Sequence, residues 1–292
     1  MFKTYKPIKM DFTHTAFNPE VIMNSGQVFR MTKDNFGFYT ACSGDKAITF
    51  RNPKGKEWLF YCSPEDWSSF WFQYFDLNTD YSIPNRKIQT GKDNFLKNAL
   101  SFGYGMRILH QDLWETIITF IISQQNNIPK IQKTVNILCE RYGHPEILQH
   151  DSVGSLRTYF TFPKAADFAN LSLSELTDGT MLGYRAEYIL KLSKDVQSHR
   201  FALNKIQSES YDDALKRLLE VKGIGPKVGN CVALYGLHHL NSYPIDTWME
   251  KIIRQDYKDY TLKGYMDWLH RRYHGYEGYI QQLQFYYKRN WK

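Results

Sequence analysis

Apolar and aromatic residues change their spacing along the chain, and the change predicts two regions of different structure. Between Gly26 and Cys62, short segments rich in aromatic and β-branched residues alternate with turn-forming sequences. The segments are QVFRMT, FGFYTAC, KAITFRN and EWLFYCS, and the sequences between them include DN, SGDK and NPKG. This alternation is typical of antiparallel strands joined by short turns. We therefore predict that this region begins as an antiparallel β-sheet.

A helix is predicted directly after the last of these strands. Ser63 suits the N-cap, Pro64 suits the first helical position, and two acidic residues follow in the first turn. The segment SSFWFQYF continues this helix. We expect the helix to pack against the sheet.

Beyond about Asn94, apolar residues recur at helical spacing. The segments DLWETIITFIISQQ, PKIQKTVNILCERYG, RAEYILKLSKDVQSH and YDDALKRLLEV all show this pattern. No Gly/Ser-rich linker separates the two regions, so we expect them to pack together. The prediction is an α+β chain in which residues 1–93 form an antiparallel β domain with a packed helix and residues 94–292 form a mainly α-helical domain.

Composition excludes several classes of protein. Hydrophobic residues make up 42% of the 292 residues and aromatic residues 16%, which excludes a disordered chain. The formal charge of +7 favours approach to a polyanion, although solvated surfaces commonly carry such an excess. The cysteines lack a CxxC pair, which argues against a zinc site or an iron–sulfur cluster; they lie at positions 42, 62, 139 and 231.

The cellular location can also be predicted from the sequence. The segment MFKTYKPIKMDFTHT has no apolar signal-peptide core, and no apolar run approaches the length of a membrane span. We therefore expect an intracellular protein with reduced thiols. It would act in the cytoplasm or nucleoid of a bacterium, or in the nucleus of a eukaryote.

The segment from Tyr211 to Trp248 is the most informative part of the sequence, because two helical patterns flank the short, glycine-containing turn sequence VKGIGPK. We interpret it as a helix-hairpin-helix at about residues 211–238. Its glycines permit a sharp turn and leave backbone amides uncovered, and the next helix begins near Pro226 with its positive end towards an anion. A DNA phosphate would fit there. The predicted phosphate-binding residues are Gly223, Gly225 and Val228.

Lys227 and Asp246 are candidates for chemistry. Lys227 is most simply interpreted as a solvated surface lysine. However, a positive side chain in the first turn of a helix opposes the helix dipole and is unfavourable for stability. The same position disfavours protonation, and nucleophilic attack requires a neutral amine. Cys231 lies on the same helical face and either packs in the core or influences the lysine. Asp246 is most simply an N-cap, and a cap can still supply a catalytic carboxylate.

These residues resemble the helix-hairpin-helix, Gly/Pro-Asp superfamily of DNA glycosylases, through the hairpin, Lys227 and the segment Pro244-Ile245-Asp246. Further matches narrow the resemblance to the 8-oxoguanine DNA glycosylase family. They are SGQVFR at 25–30, QQNNI at 124–128, LGYRAEYI at 182–189 and GYIQQLQF at 278–285. The resemblance covers nearly the whole chain.

The resemblance implies a glycosylase that is also an AP lyase. Lys227 would attack the anomeric carbon of the sugar and form a Schiff base, while Asp246 would stabilise the positive charge that develops there. Loss of a neighbouring sugar proton would then expel the 3′ phosphate by β-elimination. The chain lacks the C-terminal cysteine cluster of the iron–sulfur branch, and its lysine distinguishes it from branches that use only an aspartate and water.

The family pattern also implies how a damaged base is recognised after it leaves the duplex. Gly26 would accept a hydrogen bond from N7 of 8-oxoguanine, which is a donor in the damaged base and an acceptor in guanine. Gln281 would bond the edge of the base, and Phe285 and Cys231 would stack on its two faces. Alone, each would be interpreted as an ordinary core or surface residue.

Other positions match the residues that enter the duplex and read the base opposite the lesion. They are Gln125, Asn126, Asn127, Lys130, Tyr184 and Arg185. The family usually has a third asparagine at the position of Gln125 and an arginine at that of Lys130, so we expect a weaker preference for cytosine. Trp248 replaces a histidine that often contacts phosphate in relatives.

The expected partner is duplex DNA that contains oxidised guanine, with the protein acting as a monomer. The chemistry requires no metal or organic cofactor, although a monovalent or divalent ion could join the hairpin carbonyls to a DNA phosphate. Two alternatives stay open: a related glycosylase/lyase of different lesion specificity, and a noncatalytic protein that uses the hairpin only to clamp DNA.

Overall fold

The computed structural model describes residues 5–13, 15–53, 55, 57–149 and 155–291. Within these ranges, the N-terminal part contains a five-stranded antiparallel sheet in the order β1-β5-β4-β3-β2. The strands are β1 (Ile8–Asp11), β2 (Met31–Lys33), β3 (Tyr39–Ser43), β4 (Lys46–Arg51) and β5 (Glu57–Tyr61). Helix α1 (Pro19–Asn24) lies between β1 and β2. The predicted antiparallel sheet is confirmed, and β1 and α1 precede the segment that the sequence pattern singled out.

Aromatic side chains form the core between the sheet and the helical segment that follows it. Phe50 on β4 pairs with Phe60 on β5, and their stacked rings are 5.1 Å apart. The segment comprises α2 (Pro64–Asp66), a π-helical turn (Trp67–Trp71) and α3 (Phe72–Tyr74). Phe75, directly after α3, lies 5.2 Å from Phe50. The predicted helix therefore packs on the sheet, with a π-helical turn in its middle.

The rest of the described chain is mainly helical, as predicted. Its helices are α4 (Ser82–Thr90), α5 (Asn94–Phe102), α6 (Leu113–Ile122), α7 (Ile128–Tyr142), α8 (Ala165–Ala169), α9 (Leu173–Thr177), α10 (Arg185–Gln197), α11 (Leu203–Ile206), α12 (Tyr211–Leu219), α13 (Pro226–Tyr235), α14 (Thr247–Asp256), α15 (Leu262–Tyr273) and α16 (Glu277–Asn290). A two-stranded antiparallel hairpin, β6 (Pro145–Gln149) and β7 (Leu156–Phe160), was not predicted. Among the described residues, none of the helices has both the length and the apolar character needed to cross a membrane.

The two parts share a buried ion pair. Arg30, next to β2, lies 3.1 Å from Glu115 on α6, and both side chains are almost fully buried. The same Glu115 carboxylate accepts a hydrogen bond of 2.7 Å from the Gly44 amide in the β3–β4 turn. Because α6 is buried along its whole length, these contacts fix the sheet against the centre of the helical part. The division near residue 93 remains a prediction.

Candidate active site

The hairpin between α12 and α13 has the backbone geometry that its glycines require. Gly223 has φ +94°, and a Cβ atom there would lie 2.5 Å from the Tyr188 ring. Gly225 caps α13 with an extended backbone, and the space beside it is open. Pro226 follows as the first helical residue, so the amides of Lys227 and Val228 have no intrahelical acceptor. The turn therefore exposes a helix N-terminus that an anion can approach.

Lys227 extends from the first turn of α13 towards α6. Its Nζ atom lies 5.3 Å from the centre of the Phe120 ring. Cys231 is one turn further along α13 and is only 3% exposed. Burial raises the pKa of the Cys231 thiol, while the Lys227 ammonium group acts in the opposite direction. The neighbour of the lysine is therefore a buried, neutral thiol.

Asp246 is held firmly at the start of α14. Its Oδ1 atom accepts hydrogen bonds from the amides of Trp248 and Met249 at 3.0 and 2.9 Å. In the described part of the chain, no hydrogen bond is found to the second carboxylate oxygen, Oδ2. The predicted N-cap is therefore present, and it leaves one charged oxygen available for another function.

Lys227 and Asp246 line the same cavity, which has a volume of about 820 Å³. Gly26 and Phe285 line it as well, although they are distant in sequence. Gly26 has φ +84°, in the left-handed region that favours glycine. A cavity of this size can hold a flat heterocycle, and it presents an amine, a carboxylate and an aromatic ring to such a ligand.

Two of the predicted base-contacting residues lie behind the cavity wall in this structure. Cys231 and Gln281 are each only 3% exposed, and neither lines the cavity. Within the described residues, the Oε1 atom of Gln281 is buried without a hydrogen-bond partner. The acceptor capacity of this buried oxygen is therefore unused among the described residues.

Sequence reasoning missed Arg289, which also lines the cavity. Its Cζ atom lies 5.0 Å from the centre of the Phe285 ring. The two residues are four positions apart on α16, a spacing that places them on one helical face. That spacing was the available signal once Phe285 had been singled out.

The Asn-rich turn before α7 borders the same cavity. Asn127 caps α7 by accepting a hydrogen bond from the Lys130 amide, and Asn126 donates one to the Ile122 carbonyl. Gln125 is exposed and has φ +48°. The turn is therefore ordered by its own asparagines, and the Lys130 side chain lies on the surface.

Tyr184 and Arg185 have different environments. Tyr184 is 49% exposed, whereas Arg185 is only 8% exposed. The Arg185 guanidinium donates hydrogen bonds to the Gln124 and Leu182 carbonyls. Gln124 in turn donates to the Gly223 carbonyl at 2.8 Å. Arg185 therefore connects the Asn-rich turn, through Gln124, to the hairpin, and of the two side chains only that of Tyr184 is exposed.

Trp248 lies at the edge of the cavity, and the Nζ atom of Lys251 is 5.5 Å from its ring.

Residue types that can bind a metal are clustered outside the cavity. Among the described residues, His270, His274 and Glu277 bring their ligand atoms within 4.8 Å of one another. None of these three belongs to the hairpin. The cluster lies at the junction of α15 and α16.

Two family models match the chain. The N-terminal domain of 8-oxoguanine DNA glycosylase matches residues 9–117, and the HhH-GPD superfamily of base excision DNA repair proteins matches residues 118–268. An N-glycosylase/DNA lyase of Saccharomyces cerevisiae is 32% identical over 180 residues, which are 58% of this chain. The chain spans 46% of the length of that yeast relative.

Two solved structures are similar over almost the whole chain. MBOgg1 in complex with a low-affinity DNA ligand is 31% identical, with a TM-score of 0.86 over 99% of each chain. The 8-oxoguanine glycosylase/lyase of Clostridium acetobutylicum is 27% identical, with a TM-score of 0.85 over 99% of this chain and 97% of the other. That enzyme is in complex with double-stranded DNA that has cytosine opposite 8-oxoguanine.

Proposed function

The chain belongs to the HhH-GPD superfamily of base excision DNA repair proteins and carries the N-terminal domain of 8-oxoguanine DNA glycosylases, and from this we propose that it excises 8-oxoguanine from duplex DNA and cleaves the strand. One observation carries the proposal. Lys227 and Asp246 line the same cavity as Gly26 and Phe285, so groups suited to chemistry and to base recognition face one space. We also propose that the protein acts as a monomer.

In the first step, the neutral Lys227 amine attacks C1′ of the extrahelical nucleotide. The bond from C1′ to the base breaks, and the base leaves with the bonding electrons and takes up a proton. The new C1′–Nζ adduct loses a proton from Nζ. The C1′–O4′ bond then breaks and opens the sugar ring, O4′ takes up a proton, and C1′ and Nζ form the imine. Asp246 stabilises the positive charge at C1′, and its unbonded Oδ2 atom supports this role.

The imine then permits strand cleavage. It acidifies C2′, so a proton leaves that carbon and the electrons form a C2′–C3′ double bond. The C3′–O bond breaks and releases the 3′ phosphate. Both activities therefore depend on Lys227, and neither step consumes a metal or an organic cofactor.

The damaged base occupies the cavity. The Gly26 carbonyl accepts a hydrogen bond from N7–H, and Phe285 stacks on one face. Gln281 accepts a hydrogen bond from the edge of the base, which is supported by the unpaired, buried Oε1 atom. Cys231 would contact the other face after a small movement of the wall, since it adjoins Lys227 on α13.

Duplex DNA binds through its phosphates at the hairpin, where the amides of Gly225 and Val228 meet an anion. The open space beside Gly225 supports this contact. A cation that joins the hairpin carbonyls to the same phosphate is part of the proposal, and binding weakens as salt increases. Tyr184 enters the duplex beside the vacated position.

Borohydride trapping tests the function, because reduction makes a lysine–sugar imine permanent. The wild-type protein and Lys227→Gln are incubated with borohydride and a duplex containing 8-oxoguanine. The covalent protein–DNA adduct is then quantified on a denaturing gel. We expect an adduct with the wild type and none with Lys227→Gln. Lys216→Gln, which removes an exposed lysine of α12 outside the cavity, should trap like the wild type.

The same assay on an abasic-site duplex separates the alternatives. Trapping on abasic DNA without excision of 8-oxoguanine would point to another lesion. Binding of duplex DNA without trapping on either substrate would point to a noncatalytic clamp and would contradict the proposed function.

A further inference from the structure

Arg289 is a charged residue inside the candidate cavity, and its contacts connect two walls of that cavity. The guanidinium stacks on Phe285, with Cζ 5.0 Å from the ring centre. Its Nη2 atom donates a hydrogen bond to the Asn24 carbonyl at the end of α1. Arg289 therefore joins α16 to the segment that leads into Gly26.

The other terminal nitrogen, Nη1, lies next to Gly26. A Cβ atom on Gly26 would be 2.9 Å from Nη1 and 3.4 Å from Cε1 of Phe285. Nη1 is buried, and the described residues offer it no hydrogen-bond partner. An unsatisfied buried donor is unfavourable, and more so when it is charged. A ligand that brings an acceptor atom next to Gly26 would remove this cost.

The chemistry of the guanidinium determines what such a ligand offers. Burial lowers the pKa of the Arg289 side chain, while Tyr286 and Asp246 act in the opposite direction. Arginine nevertheless stays protonated in proteins and can only donate hydrogen bonds. The group therefore favours an oxygen acceptor and disfavours an amino group.

Resting on the function proposed above, we propose that Arg289 is a specificity-determining residue whose Nη1 atom donates a hydrogen bond to a carbonyl oxygen of the extrahelical base beside Gly26. In 8-oxoguanine, oxygens on C6 and C8 flank the N7–H group that faces the Gly26 carbonyl. Adenine carries an amino donor at C6 instead. Arg289 thus favours 8-oxoguanine over adenine through the same edge of the base that Gly26 contacts.

The test compares excision of 8-oxoguanine with cleavage at a preformed abasic site, which has no base to recognise. Arg289→Met keeps an apolar chain beside Phe285 and removes the donor. We expect single-turnover excision to fall about 10- to 100-fold, the loss for a hydrogen bond to a charged group. Abasic-site cleavage should stay within about threefold of the wild-type rate.

Lys288→Met is the matched control, because it removes a positive charge from the adjacent position of α16 outside the cavity. Lys288 pairs with Asp256 on the surface at 2.7 Å. This variant should excise and cleave like the wild type. Thermal unfolding of both variants checks that the fold is intact.

Other outcomes would overturn the inference. An equal loss on both substrates would assign Arg289 to general DNA binding or to folding. Unchanged excision would remove it from base recognition, and faster excision would mean that the guanidinium only blocks the cavity. A wild type that cleaves abasic DNA but excises no 8-oxoguanine would contradict the proposed lesion as well. A wild type and an Arg289→Met variant that excise 8-oxoguanine equally would contradict only the role of Arg289.

Discussion

At the scale of single residues, the Asp246 carboxylate caps a helix and is proposed to take part in the chemistry, and these two tasks can be separated. Asp246 satisfies two backbone amides of α14 through Oδ1, and no hydrogen bond is found to Oδ2 within the described residues. The cap requires an acceptor oxygen, which asparagine also supplies. Stabilisation of positive charge at C1′ requires the negative charge itself.

Asp246→Asn should therefore remain folded and lose activity. We expect a stability loss of less than about 1 kcal/mol in urea unfolding, because asparagine is an equally good cap. The rate of borohydride trapping should fall about 100-fold. Asp246→Ala is the comparison, since it loses the cap as well and about 1 kcal/mol of stability. Trapping of Asp246→Asn at the wild-type rate would remove the carboxylate from the chemistry.

At the scale of elements, the hairpin depends on two glycines for different reasons. Gly223 needs its left-handed backbone and close contact with Tyr188 on α10. Gly225 has an ordinary extended backbone and open space beside it. The first glycine shapes the turn, and the second leaves room for the phosphate that we propose binds there.

Substitution by alanine should distinguish these two roles. Gly223→Ala should lower the free energy of unfolding by roughly 1–3 kcal/mol, because of left-handed strain and the clash with Tyr188. Gly225→Ala should unfold at nearly the wild-type urea concentration. It should bind duplex DNA more weakly, because the added methyl group occupies the open space that the DNA phosphate is proposed to enter. Equal stability of the two variants would contradict this assignment, and so would unchanged DNA affinity in Gly225→Ala.

At the scale of the whole molecule, the surface that we propose meets the opposite base is assembled from distant segments. The Asn-rich turn, the loop before α10 and the hairpin are connected by Gln124 and Arg185. Arg185 donates its hydrogen bonds to backbone carbonyls. Lys130 occupies the position at which the 8-oxoguanine DNA glycosylase family usually has an arginine. Lysine cannot provide the flat, two-pronged hydrogen bonding of arginine. Both features support a weak preference for the base opposite the lesion.

We therefore expect comparable excision of 8-oxoguanine opposite cytosine, adenine, guanine and thymine, within about tenfold, because no bidentate contact supplies the usual 1–3 kcal/mol of discrimination. Lys130→Arg should raise the preference for cytosine. Single-turnover excision from four duplexes measures both expectations. A strong preference for cytosine in the wild type, unchanged in Lys130→Arg, would mean that other residues recognise the opposite base.

Much of the architecture could be predicted because its signals are local. Strand-forming segments, helical spacing and the turn glycines act over a few residues, so they identified the sheet, the helices and the hairpin. The N-caps Ser63 and Asp246 were identified in the same way. The β6–β7 hairpin was missed, since these short segments lay within a region whose dominant pattern was helical.

The sequence by itself determined the family, the fold class and the residues suited to chemistry, because motifs and periodicity are properties of neighbouring positions. Only the tertiary structure decided which of them share a space. It brought Gly26 and Phe285 to the cavity of Lys227, and it left Cys231 and Gln281 behind the cavity wall. It also directed Arg289 towards Gly26. Such distances depend on how α1, α13 and α16 pack, and long-range packing leaves no periodic signal along the chain.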